Sequence, residues 1–80
     1  MCRVKAKVVD GPIEAEKVAY IENVFGEMCE VFVGASQVAG GTVEVTEVDR
    51  EGDNVLVELP RESTRGDWRL WVRSGQLIAG

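Results

Sequence analysis

Eighty residues is the length of one small domain, and such a chain buries only about 60% of its unfolded surface on folding, which excludes a second domain. The formal charge of -5 argues against a generic phosphate-binding surface, because affinity for a nucleic-acid backbone comes mainly from Lys and Arg displacing counterions. No stretch approaches the roughly 20 apolar residues of a membrane span, and the start Met1-Cys2-Arg3-Val4-Lys5 carries no signal-like apolar region, so a cytoplasmic chain is expected.

Fourteen valines favour strands, since a branched Cβ packs well on a pleated sheet and is restricted in a helix. From Cys2 to Val8, alternation puts Cys2, Val4, Ala6 and Val8 on one face and Arg3, Lys5 and Lys7 on the other, which predicts a half-buried strand. Gly11-Pro12 supplies a turn. Lys17 to Glu22 reads as a strand covered on both sides, followed by a loop from Asn23 to Glu27. Cys29, Val31 and Val33 face one way and Glu30 and Phe32 the other, in a third strand that stops at Gly34.

Ala35-Ser36-Gln37-Val38 predicts a short 3₁₀ turn. After Gly40-Gly41 a fourth strand begins; its alternation slips at Glu47 and Val48, which predicts a β-bulge near Thr46. Glu51-Gly52-Asp53-Asn54 has hairpin chemistry, and Val55, Val57 and Leu59 line a fifth strand that ends at Pro60. A sixth strand places Trp68, Leu70 and Val72 on one face and Arg69, Trp71 and Arg73 on the other.

Sliding the chain against itself by 39 residues lays Val4-Asp10 on Val43-Asp49, Val18 on Val57, Glu30-Val38 on Arg69-Leu77 and Gln37 on Gln76. The expected fold is an all-β domain spanning residues 1–80. It is a small six-stranded barrel or compact sandwich of two pseudo-two-fold-related three-stranded units, with an internal repeat of residues 1–41 and 40–80. The repeat predicts that Phe32 and Trp71 occupy matching outward positions.

The residues available for chemistry point away from catalysis. The chain has no histidine to move protons near neutral pH, so Cys2 and Cys29, expected to be free thiols, lack the usual activating base. Asp49-x-Glu51-x-Asp53 alternates like a calcium loop, but without the later bidentate Glu it reads as a solvated hairpin tip. Two addresses remain. Arg69, Trp71 and Arg73, with Phe32 expected nearby, interleave cations with an aromatic plane, which suits single-stranded nucleic acid or a protein interface. Cys2 offers a thiolate beside backbone nitrogen, a donor set that favours square-planar nickel or copper once two chains meet; otherwise it simply begins the core-facing row.

Met1-Cys2-x-x-Lys5-x-x-Val8, Ala15-Glu16-x-Val18-x-Tyr20-Ile21 and Val43-x-Val45-x-Glu47-Val48-Asp49 resemble the CooT family, small β-rich proteins associated with nickel delivery to carbon monoxide dehydrogenase. The resemblance covers residues 1–59. It implies a homodimeric accessory protein that holds nickel through Cys2 and hands it to a metalloenzyme partner. Relatives of that family have also been labelled RNA-binding. Residues 60–80, with both tryptophans and four arginines, lie beyond the resembling region. Val31-Phe32-Val33-Gly34-Ala35 followed by Gly41-x-Val43-x-Val45 is similar to RNA-binding TRAM barrels, which implies the second address as the alternative.

Overall fold

A computed structural model of the chain describes residues 2–79. Its elements are β1 (Cys2–Lys5), β2 (Lys7–Asp10), β3 (Glu16–Glu22), β4 (Met28–Gly34), β5 (Val38–Ala39), β6 (Thr42–Glu51), β7 (Asn54–Glu58), β8 (Arg69–Arg73) and β9 (Leu77–Ala79). Single 3₁₀ turns, Ala35–Gln37 and Ser74–Gln76, lead into β5 and β9. One sheet runs in the order β8-β7-β6-β1-β9, with β5 also on β6, and the other in the order β2-β3-β4. The sheets do not close into a barrel; they form the compact, sandwich-like alternative.

Six expected strands become nine. The first strand divides at Ala6, whose N–H leaves the ladder to donate to the Gly41 carbonyl at 2.9 Å. Up to Lys5 the strand pairs with β6; from Lys7 onward it pairs with β3. The two short strands after the 3₁₀ turns carry too few residues to show a period in the sequence. The bulge lies between Glu47 and Asp49, leaving Val48 unpaired and 41% exposed. Trp68 falls outside β8, whose pairing with β7 ends at Glu58 opposite Arg69, and is exposed rather than aligned with buried Leu70 and Val72.

The two halves make the same hydrogen bonds. In one, the Gly34 N–H donates to Gln37 Oε1 at 2.8 Å; in the other, the Arg73 N–H donates to Gln76 Oε1 at 2.8 Å. β5 lies on β6 as β9 lies on β1, with Val38 opposite Val43 and Leu77 opposite Val4. Phe32 stands opposite Val18 and Trp71 opposite Leu56, so the two aromatics take equivalent positions on the outer faces of different sheets. The alignment of Val18 with Val57 is therefore displaced by one residue, and Val18 corresponds to Leu56. The bulge at Val48 and the two-residue Gly52-Asp53 turn, which replaces the longer loop at 11–15, change the spacing there.

One apolar cluster draws on both sheets. Val4, Val43, Val45, Val55, Val57, Leu70 and Val72 meet Ala19, Ile21, Cys29, Val31 and Val33, with Cys2, Ala6 and Val8 packed at its margin. The sharp approach at Gly11 is needed here: its N–H donates to the Glu16 carbonyl at 2.9 Å, and a Cβ there would sit 2.6 Å from that oxygen. Among the described residues no helix is long and apolar enough to cross a membrane.

Val43 is fully buried at the centre of this arrangement, whereas Val9 is 39% exposed. Val43→Ala is expected to cost about 2 kcal/mol through lost burial and a residual cavity, and Val9→Ala less than about 0.5 kcal/mol. Urea unfolding of the two variants checks this, and equal losses would contradict the assignment of the core.

Candidate binding surface

The loop from 23 to 27 is short and rigidly built. Asn23 Oδ1 accepts the N–H groups of Phe25 (2.9 Å) and Glu27 (3.0 Å), as an Asn side chain does when it stands in for a backbone turn. The Asn23 N–H donates to the Glu27 carbonyl, and Gly26, at φ 78°, donates back to the Asn23 carbonyl. This closure leaves Phe25 at the tip, 79% exposed.

Three bonds fasten the loop to the second half of the chain. The Val24 N–H donates to the Trp71 carbonyl at 2.9 Å, Arg73 Nη2 to the Val24 carbonyl at 3.3 Å, and Gln76 Nε2 to the Glu22 carbonyl at 2.7 Å. The free edge of β8 is thereby covered and Phe25 is brought beside Trp71. The two aromatics line one open cleft of about 280 Å³ together with Val24, Glu51 and Asn54. A neighbouring depression of about 210 Å³, on the other side of Phe25, includes Arg65 and Arg69.

The equivalent loop, 63 to 67, is built the same way with Ser63 as its acceptor: the Ser63 hydroxyl oxygen accepts from Arg65 (3.3 Å) and Asp67 (3.0 Å). Its Thr64 N–H donates to the Glu30 carbonyl at 2.9 Å, so each loop crosses to a strand of the other half. Arg65 thus occupies the tip position that Phe25 holds in the first loop.

Three of the four C-terminal arginines are committed. Arg69 Nε lies 3.2 Å from Glu58 and Arg61 lies 3.8 Å from Glu16, while Arg73 holds the Phe25 loop. Phe32, expected beside Trp71, is on β4 in the other sheet, because the repeat separates the two equivalent positions; Phe25 takes the place foreseen for it. Phe25 carries no signal in the sequence, because a lone aromatic in a polar loop has no period. The Asn-x-Phe-Gly pattern that presents it was readable as a turn.

No known protein family, curated protein or solved structure matches the chain.

The two cysteines differ sharply. Cys29 is 4% exposed, and burial, followed by the nearby Asp67 carboxylate, pushes its thiol up from the ordinary range, so it stays protonated. Cys2 is partly exposed and lies in β1 opposite Val45 on one side and Ala79 on the other. Among the described residues no group of three or more His, Cys, Asp or Glu is arranged to hold a metal ion.

At neutral pH, iodoacetamide is expected to alkylate Cys2 at least about ten times faster than native Cys29, whose thiolate is scarce and shielded. Peptide mapping after timed quenching measures the two rates. Similar rates would contradict the buried, protonated state of Cys29.

Proposed function

We propose that the chain is a small, non-catalytic binding module that docks a protein partner on the surface formed by Phe25 and Trp71. The observation that carries this reading is Phe25 itself: a large aromatic held 79% exposed on a loop fixed by its own hydrogen bonds, beside a tryptophan in the same cleft. Exposing such a ring opposes the hydrophobic effect, and rigid aromatic anchors of this kind supply much of the binding energy at protein interfaces. The loop is already ordered, so docking costs little further conformational entropy.

The surroundings favour protein over nucleic acid. Phosphate contact depends on cations free to displace counterions, whereas Arg69 and Arg61 face carboxylates and Arg73 is engaged with the loop. The adjacent β6-β7 hairpin carries Glu44, Glu47, Asp49, Glu51, Asp53 and Glu58. A partner presenting a basic segment complements that field.

Fluorescence anisotropy with a short Arg- and Lys-rich peptide and with a short single-stranded RNA tests the choice. The peptide is expected to bind, and Phe25→Ala or Trp71→Ala to weaken it by about ten-fold. RNA binding with a steep salt dependence, together with no peptide binding, would reject the protein-partner reading.

A second reading rests on the resemblance of residues 1–59 and on Cys2 being the more exposed of the two thiols: nickel held between two chains by their Cys2 thiolates, for transfer to an enzyme. It requires a thiolate-to-metal absorption band on nickel addition to the reduced protein, at one ion per two chains and absent in Cys2→Ser. No band, or a band unchanged in that variant, excludes it.

A further inference from the structure

We propose that the cleft between the Phe25 loop and the end of the β6-β7 hairpin takes the cationic end of an arginine or lysine side chain from a basic segment of the partner; this rests on the protein-docking reading above. The cleft is lined by two aromatic residues, Phe25 and Trp71, together with Glu51, Asn54 and Val24. Aromatic faces carry negative potential and attract ammonium and guanidinium groups, Trp most strongly. Glu51 adds a formal opposite charge, and the Asn54 amide oxygen can accept an N–H. Among the described residues no arginine or lysine lines this cleft.

The charges around it point the same way. Glu51 pairs with Asn54 at the closed end of the hairpin, where Gly52-Asp53 forms the turn, and Asp49 and Glu47 follow along β6. Arg50, the one cation of that stretch, lies 3.2 Å from Glu47 and is neutralised there. Arg73, across Asn54 in the ladder, donates to the Val24 carbonyl and so serves as a strut for the loop. The depression on the other side of Phe25, by contrast, sets Glu27 and Asp67 against Arg65 and Arg69, so the side with an unbalanced negative charge is the Glu51 side.

Size agrees with one side chain. About 280 Å³ lies at the lower bound of pockets that engulf a small molecule, and an Arg or Lys stem can lie along apolar walls with its head at the carboxylate. The geometry is set before binding, because the Phe25 tip is closed by Asn23 and tied to β8.

The test uses the whole chain in a Trp68→Phe background, so that Trp71 is the only tryptophan. Capped Ala-Arg-Ala, Ala-Lys-Ala and Ala-citrulline-Ala peptides are titrated while the Trp71 indole N–H and the Phe25 backbone N–H are followed by NMR. The two cationic peptides are expected to shift both signals saturably, and the citrulline peptide to shift neither. Glu51→Gln is expected to weaken binding about three-fold or more and Phe25→Ala about two- to five-fold; both positions are exposed, and circular dichroism confirms that the fold is retained. Equal behaviour of arginine and citrulline peptides, no shift with any of them, or no change in Glu51→Gln overturns the cation cleft. If the longer basic peptide still binds through Phe25 and Trp71 in that case, the docking surface stands without it; if that peptide also fails, both readings fall.

Discussion

The pairing of β1 with β6 is the constraint on which the rest of the molecule depends. Val4 lies opposite Val43, both fully buried, with Arg3 opposite Glu44 and Lys5 opposite Thr42 on either side. Because Val4 and Val43 are themselves equivalent in the two halves, this ladder is its own mirror under exchange of the halves. The Ala6 N–H to Gly41 carbonyl bond is the counterpart of the contact between Cys2 and Val45. Beyond this central stretch each strand continues into its own hairpin, β2 with β3 and the end of β6 with β7. The tail strands β5 and β9 then close the sides of the same pair. A chain this short has little apolar area to spend, and wrapping two similar units around one valine pair lets both contribute to a single core.

Likeness of the backbones makes the differences between side chains informative. The two crossing loops share their turn hydrogen bonds and a glycine at positive φ, 78° at Gly26 and 89° at Gly66. One presents Phe25 and the other Arg65. The equivalent outward positions on β4 and β8 hold Phe32 and Trp71, but only Trp71 has an aromatic loop tip drawn over it. The acidic run on β6 and β7 has no counterpart on β2 and β3, where Lys7 and Lys17 intervene. Function, on this reading, is a departure from the internal symmetry, written in side chains on a frame that the symmetry holds still.

Electrostatics explains why an arginine-rich final segment need not mean a nucleic-acid surface. The sequence places four arginines between residues 60 and 80, and a count along the chain treats them as a positive patch. Folding brings Glu58 to Arg69 and Glu16 to Arg61 from elsewhere in the chain. These pairs are exposed and contribute little to stability, yet each sets a carboxylate beside a guanidinium that a phosphate would otherwise meet alone. Arg73 has become part of the scaffold beneath Phe25.

The sequence by itself determined the β-class, the buried valine faces, the hairpin at Gly52-Asp53, the 3₁₀ turn at Ala35–Gln37 and the existence of a bulge. All of these follow from local chemistry: side-chain alternation, turn residues and a slip of one place. The 39-residue offset set Phe32 against Trp71, which the strand pairings match, but set Val18 against Val57 where they place Leu56. What the sequence could not determine is which residues meet. The division of the first strand at Ala6 depends on Gly41, thirty-five residues away, and the short strands β5 and β9 exist only because β6 and β1 are there to pair with. The partners of Trp71 were likewise decided by tertiary structure: Phe25 arrives because its loop must satisfy the Val24 N–H on the edge of β8, and Glu51 because the hairpin ends beside it. Backbone groups seeking partners across the fold, rather than any local preference, assembled the cleft.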